Sequence, residues 1–96
     1  MSHVIAFDLG EKKHVYLEII SRKKQDFEIS EASYELIRMV SRETEDAGTC
    51  VIEGHTLDML IAPKELGKYV LKVSYHIADQ ILIENLDVQV RRYGNC

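Results

Sequence analysis

Glu65-Leu66-Gly67-Lys68-Tyr69-Val70-Leu71-Lys72-Val73-Ser74-Tyr75 decides how the rest of this chain is read. A glycine turns the backbone, and a tyrosine then enters a long alternating stretch. Tyr69, Leu71, Val73, Tyr75 and Ile77 share one face; Val70, Lys72, Ser74 and His76 share the other. A period of two marks a strand with one packed face and one largely solvated face.

The order Glu65-x-Gly67-x-Tyr69-x-Leu71 is also that of a tyrosine corner, in which the phenol bonds back to the connecting backbone of an immunoglobulin-type sandwich. Gly67, Tyr69 and Leu71 are therefore structural candidates. Their reading argues for a fold and carries no activity.

The same period recurs upstream. Ile5, Phe7 and Leu9 alternate with Val4, Ala6 and Asp8 over His3 to Leu9, and Gly10 ends the run. Val15, Leu17 and Ile19 alternate with His14, Tyr16 and Glu18, so the stretches on either side of Glu11-Lys12-Lys13 read as a hairpin. Phe27-Glu28-Ile29 opens a further short strand. Gly48 to Glu53 and Leu57 to Ala62 pair around Gly54-His55-Thr56, and Pro63 stops the second because proline donates nothing to a ladder. From Gln80 to Arg91 the parity changes between Ile81 with Ile83 and Leu86 with Val88 and Val90, which a β-bulge near Glu84-Asn85 would reconcile.

Ser30 to Ala47 reads two ways. Its Glu, Ala, Leu and Met content favours helix, with Gly48 as a C′ residue, so a short helix over 31–45 stays open. A strand from Ala32 to Val40, followed by an acidic loop from Arg42 to Ala47, fits an all-β neighbourhood better and is the preferred reading. The expectation is an all-β, immunoglobulin-like sandwich of about seven to eight antiparallel strands. One domain spans residues 1–93, with a flexible tail at 94–96.

The chain has 96 residues, about the length of one such sandwich, and is 46% hydrophobic and 29% charged. That composition is globular, and no apolar run is long enough to span a bilayer. Met1-Ser2-His3 has no basic lead and no long apolar stretch, so no signal peptide is expected. The net charge is −4. The clusters Arg22-Lys23-Lys24 and Arg91-Arg92 lack interleaved aromatic platforms, which argues against nucleic acid as a partner. Cys50 lies within a strand pattern and Cys96 is the last residue; both are read as free thiols, which suits cytoplasmic synthesis.

Candidate chemistry is thin. Val4-Ile5-Ala6-Phe7-Asp8-Leu9-Gly10 is similar to the phosphate-contacting first strand of the actin and sugar-kinase ATPases. Glu11-Lys12-Lys13 replaces the small hydroxyl residues that follow there, and the chain is too short for two nucleotide-clasping domains. His3, His14, His55 and His76 show no ligand spacing for a metal. Glu43, Glu45 and Asp46 fall in a solvated acidic stretch, without a cleft to hold carboxyls on opposite sides of a substrate. No catalytic, cofactor-binding or metal-ligating residue is assigned. Tyr16 falls on the opposite parity from its apolar neighbours and is read, with Ile20, as an exposed patch that could contact a protein.

From Ala32 onward the order of segments resembles one group. An Ala-x-Tyr-x-Leu strand leads to an acidic loop, then Gly48-Thr49-Cys50-Val51-Ile52 and Leu57-Asp58-Met59-Leu60-Ile61-Ala62-Pro63. The Leu66 to Tyr75 stretch and a closing strand ending at Val88-Gln89-Val90 complete it. This resembles the immunoglobulin-like sandwich modules of tailed-bacteriophage and prophage tail proteins, in particular the N-terminal domain of upper-baseplate proteins. Leu71 stands where antibody-type domains have their second cysteine, and there is no tryptophan, so the likeness is to disulfide-free sandwiches. It implies a non-enzymatic, virion-associated protein that works by assembly, as a homo-oligomer or with other tail components. The contact elements would be His3 to Ile20 and Gln80 to Arg91. The competing expectation is a generic protein- or carbohydrate-binding module on the same sandwich. No cofactor and no membrane partner are expected.

Overall fold

The computed structural model of the chain describes residues 4–20 and 27–92. The expected strand start at His3, the Ser21 to Asp26 connection with its basic cluster, and the tail at 94–96 lie outside the described residues. Eight strands follow in order: β1 (Val4–Asp8), β2 (Lys13–Glu18), β3 (Ile29–Arg38), β4 (Thr44–Thr49), β5 (Val51–Glu53), β6 (Thr56–Ile61), β7 (Gly67–Ile77) and β8 (Gln80–Arg91). They form a five-stranded sheet, β1-β8-β7-β3-β4, and a three-stranded sheet, β2-β6-β5. With β3, β7 and β8 as strands C, F and G, and β2, β6 and β5 as B, E and D, this is an immunoglobulin-like sandwich.

The alternation of β7 builds the core. Tyr69, Leu71, Val73 and Tyr75 are buried, and they meet buried Leu57, Met59 and Ile61 of β6 with Val15 of β2. Across the ladder Leu36 pairs with Leu71, and both are fully enclosed. Apolar burial of this kind supplies roughly 25 cal/mol per Å² and is the main favourable contribution to folding.

The structure corrects four expectations and decides the open reading of Ser30 to Ala47. First, β1 and β2 do not form a hairpin. β1 pairs in parallel with the second half of β8 (Val4 opposite Asp87 to Asp8 opposite Arg91), whereas β2 pairs with β6 in the other sheet. The strands are therefore not all antiparallel. The turn between them crosses the sandwich because Phe7 and Val15 each bury in the same core from opposite sheets. Asp8 N–H donates to Glu11 Oε1 at 2.9 Å, and Lys13 Nζ lies 4.6 Å from the centroid of the Phe7 ring, closing that corner.

Second, the segment from Ala32 follows the preferred strand reading, as β3, and no helix forms over 31–45. β3 pairs on both sides, with β7 and with β4, and those ladders override the helical preference of its side chains. Third, the acidic stretch is an edge strand, β4, reached by a turn in which Arg42 N–H donates to Arg38 O and Arg42 takes a φ of 61°. Gly48 to Glu53 is likewise two strands, because the chain changes sheet at Cys50, whose N–H donates to Ala32 O. Fourth, β8 has no bulge at Glu84-Asn85. Its register with β7 is continuous from Gly67 opposite Val90 to Ile77 opposite Gln80; the irregularities lie elsewhere, at Ser30 of β3 against β7 and at Glu45 of β4 against β3.

Candidate interaction surface

The E–F corner is a bonded cluster. Gly67 opens β7 at a φ of 121°, in the left-handed region that a side chain resists. Two residues on, the Tyr69 hydroxyl accepts from Glu65 N–H at 3.2 Å, the backbone contact of a tyrosine corner. The same hydroxyl donates to Glu45 Oε1 at 2.7 Å, and Glu45 Oε2 accepts from Lys64 N–H at 3.0 Å. One carboxylate thus ties the edge strand β4 to the corner. Burial, with the bond to Glu45 adding, pushes the Tyr69 phenol up to about 12. Leu71 lies in the core. These three residues hold the fold.

The outer face of the three-stranded sheet carries Tyr16, 62% exposed, with its ring stacked on His14 at 5.9 Å and 17°. His14 Nδ1 lies 2.7 Å from Asp58 Oδ1, and Asp58 stands opposite both Tyr16 and Val51 in the ladders. Ile20 is exposed as well, beyond the end of β2, so the strand does not bring it onto the Tyr16–His14 stack.

A groove of about 410 Å³ is lined by Glu31 and Ser33 of β3, Thr49 of β4, Cys50, and Ser74 and His76 of β7. Burial, and then the Asp58 carboxylate, push the Cys50 thiol up to about 11. It stays protonated at neutral pH, so it is not a ready nucleophile. Among the described residues no three His, Cys, Asp or Glu side chains converge as a metal set.

The edge of β8 differs along its length. Ala78 and Asp79 form a two-residue loop, and such a loop closes on a pair that exchanges both hydrogen bonds. Gln80, Leu82 and Glu84 therefore turn their backbone groups toward β7, and Ile81 and Ile83 turn theirs away. The Leu9 N–H donating to Arg91 O at 2.8 Å fixes the same parity at the other end. β1 covers that away-facing row from Asp87 to Arg91 only. Among the described residues, no strand pairs with the outer edge of Gln80 to Ile83.

The side chains there are apolar and in water: Ile81 is 64% exposed, Leu82 36% and Ile83 52%. Leu82 shares the inward parity of buried Val88 and Val90, yet it is exposed: β1, which flanks β8 beside Val88 and Val90, does not reach it. The molecule is drawn out to 48 × 24 × 23 Å. An unpaired apolar edge is a template for another strand, and natural sheets ordinarily blunt it with lysine, proline or a bulge. The outer edge of the same sheet, β4, is blunted by Glu45 and Asp46.

The sequence reading places Gln80 to Arg91 among the contact elements but does not single out Ile81 to Ile83. The signal was present: Ala78-Asp79 is short enough to fix the register against β7, and that register turns Ile81 and Ile83 outward with no bulge.

No family model matches the sequence, and no curated protein matches it. Among solved structures the chain is similar to a "putative glycoside hydrolase" from Bacteroides vulgatus, with a TM-score of 0.50 and 12% identity over 95% of this chain. The chain spans 17% of the length of that protein. A likeness at that identity concerns the fold alone.

Proposed function

We propose that this chain is a non-catalytic protein-interaction module that acts by assembly, docking through the open half of the β8 edge. One observation carries the reading: three consecutive apolar residues, Ile81, Leu82 and Ile83, stand exposed on a strand edge that no strand of the described residues pairs with. Stability does not call for them there, since their side chains add little to the core, and an exposed apolar edge is an aggregation hazard unless something covers it. The setting in a tailed-phage tail or baseplate is carried by the residue order from Ala32 to Val90 alone.

The test is a double substitution, Ile81→Lys with Ile83→Lys. Both side chains face solvent, so the melting temperature is expected to stay within a few degrees of the parent, as exposed substitutions shift stability by about 0.5 kcal/mol or less. A loss above about 2 kcal/mol would show that the two isoleucines serve the fold and would remove the edge as a docking surface.

A second reading, carbohydrate binding, is favoured by the Tyr16–His14 stack beside the Asp58 carboxylate. It predicts amide-shift changes around Tyr16 on titration with a neutral oligosaccharide such as cellohexaose. No response at Tyr16 would dispose of it.

A further inference from the structure

We propose that the occupant of the β8 edge is the same edge of a second copy of this chain, paired antiparallel with Leu82 on the two-fold axis. The inference rests on the docking role given to that edge above, and it specifies partner, register and size.

Two copies joined in one continuous sheet must oppose residues of like parity. Three registers satisfy this near the hairpin tip, centred on Ile81, on Leu82 or on Ile83. The Leu82-centred register places Ile81 opposite Ile83 of the second copy and Ile83 opposite its Ile81. These are the residues whose N–H and C=O groups point outward, so both opposed pairs can exchange two hydrogen bonds. Leu82 then faces Leu82 as the closer, non-hydrogen-bonded pair.

Next along, Gln80 opposes Glu84, so no like charges meet. Shifting to Ile81 sets Gln80 against Leu82, and shifting to Ile83 sets Leu82 against Glu84. Each shift mismatches an apolar side chain with a polar one; the Ile81-centred register also keeps a single outward pair within the strand, and the Ile83-centred one sets Ile81 against Asn85. The register is also bounded in space. Five residues a side, Gln80 to Glu84, fill the edge up to the stretch before Asp87, where β1 begins at Val4.

The contact is isologous and closes on itself, so the product is a dimer. Five residues a side bury well below the ~1,200 Å² of a stable interface, which makes the dimer reversible.

The experiment combines mass with register. Light scattering over roughly 10 μM to 1 mM is expected to show a monomer–dimer equilibrium that the single substitution Ile83→Lys weakens at least about tenfold. In a Cys96→Ser background, with buried Cys50 left in place, Leu82→Cys is expected to form a dimer on mild oxidation. Directly opposed Cα atoms lie ~4.5 Å apart at such a pair, within disulfide reach. Ile81→Cys and Ile83→Cys are each expected to cross-link poorly alone and well when mixed.

A monomer at every concentration, with no Leu82→Cys dimer, overturns the second-copy proposal. If the Ile81→Lys, Ile83→Lys double variant meanwhile keeps its melting temperature, the docking role of the edge survives for a different strand. A dimer that cross-links efficiently through Ile81→Cys alone or Ile83→Cys alone overturns the register.

Discussion

The Tyr69 hydroxyl donates to Glu45 Oε1 at 2.7 Å, so the buried phenol of β7 anchors an acidic edge strand lying two strands away in the same sheet. Tyr69→Phe removes that bond and the one from Glu65 N–H together. A cost of about 1–3 kcal/mol is expected, because Glu45 and the Glu65 amide lose a shared partner in a half-buried place. Denaturant unfolding of the two proteins measures it.

The same phenol sets an alkaline limit. Its value is raised from 10.0 to about 12 in the folded chain, so the folded state favours the protonated form. Its contribution is complete below about pH 10 and is lost as pH rises through about 12. Burial also raises Tyr34 and Tyr75, which act in the same direction. The Tyr69 share is therefore the difference between wild type and Tyr69→Phe. The variant is expected to lose less stability than wild type between pH 10 and 12.

Two hairpins use the same loop position differently. Gly54 and Ala78 each begin a two-residue loop with positive φ, 62° and 55°. Glycine adopts that conformation freely, and alanine does not. Ala78→Gly is expected to stabilise the chain by about 0.5–1 kcal/mol, the left-handed strain of ~1–2 kcal/mol less the added chain entropy. Gly54→Ala should lower stability by a similar amount. Thermal melts of both variants check the pair, and opposite signs are required.

Gly48 lies under the ring of Tyr34, its partner across the β3–β4 ladder. A Cβ there would stand 3.0 Å from Tyr34 Oη and 3.1 Å from its Cε1. Gly48→Ala is expected to swing the ring toward water at a cost of about 1–3 kcal/mol. The Tyr34 phenol, held up mainly by burial, should then titrate nearer its ordinary value. Ultraviolet titration, with tyrosine shifts from NMR, would read both.

Position along the sandwich governs how much an apolar residue contributes. Leu71 is fully enclosed opposite Leu36, and Leu71→Ala should cost about 2–5 kcal/mol. Leu82→Ala, on the same inward parity but 36% exposed, should cost far less. Chemical denaturation compares the two directly.

The core was legible where one strand carried its own pattern: Tyr69, Leu71, Val73 and Tyr75 could be placed from period two alone. Partner choice was not, because alternation says which face is inward and not which sheet receives it. β1 and β2 each bury one face, and nothing local distinguishes a hairpin from a crossing. β3 was ambiguous for a physical reason: its buried residues, Ile29, Ala32 and Leu36, fall at helical spacings, since a register shift and the half-buried Tyr34 break the alternation. Tyr16 was visible as an exposed aromatic, but its partner Asp58 comes from β6 and has no local signal. The open edge needed long-range knowledge, namely where β1 ends along β8.

Whether the β8 edge stands open is read by amide hydrogen exchange along β8 in dilute protein. Ile81 and Ile83 are expected to exchange quickly, while Leu82 and Glu84, turned toward β7, and Gln89, under β1, are protected. Protection of Ile81 and Ile83 equal to that of Gln89 would mean the chain already covers this edge itself, and would contradict the account.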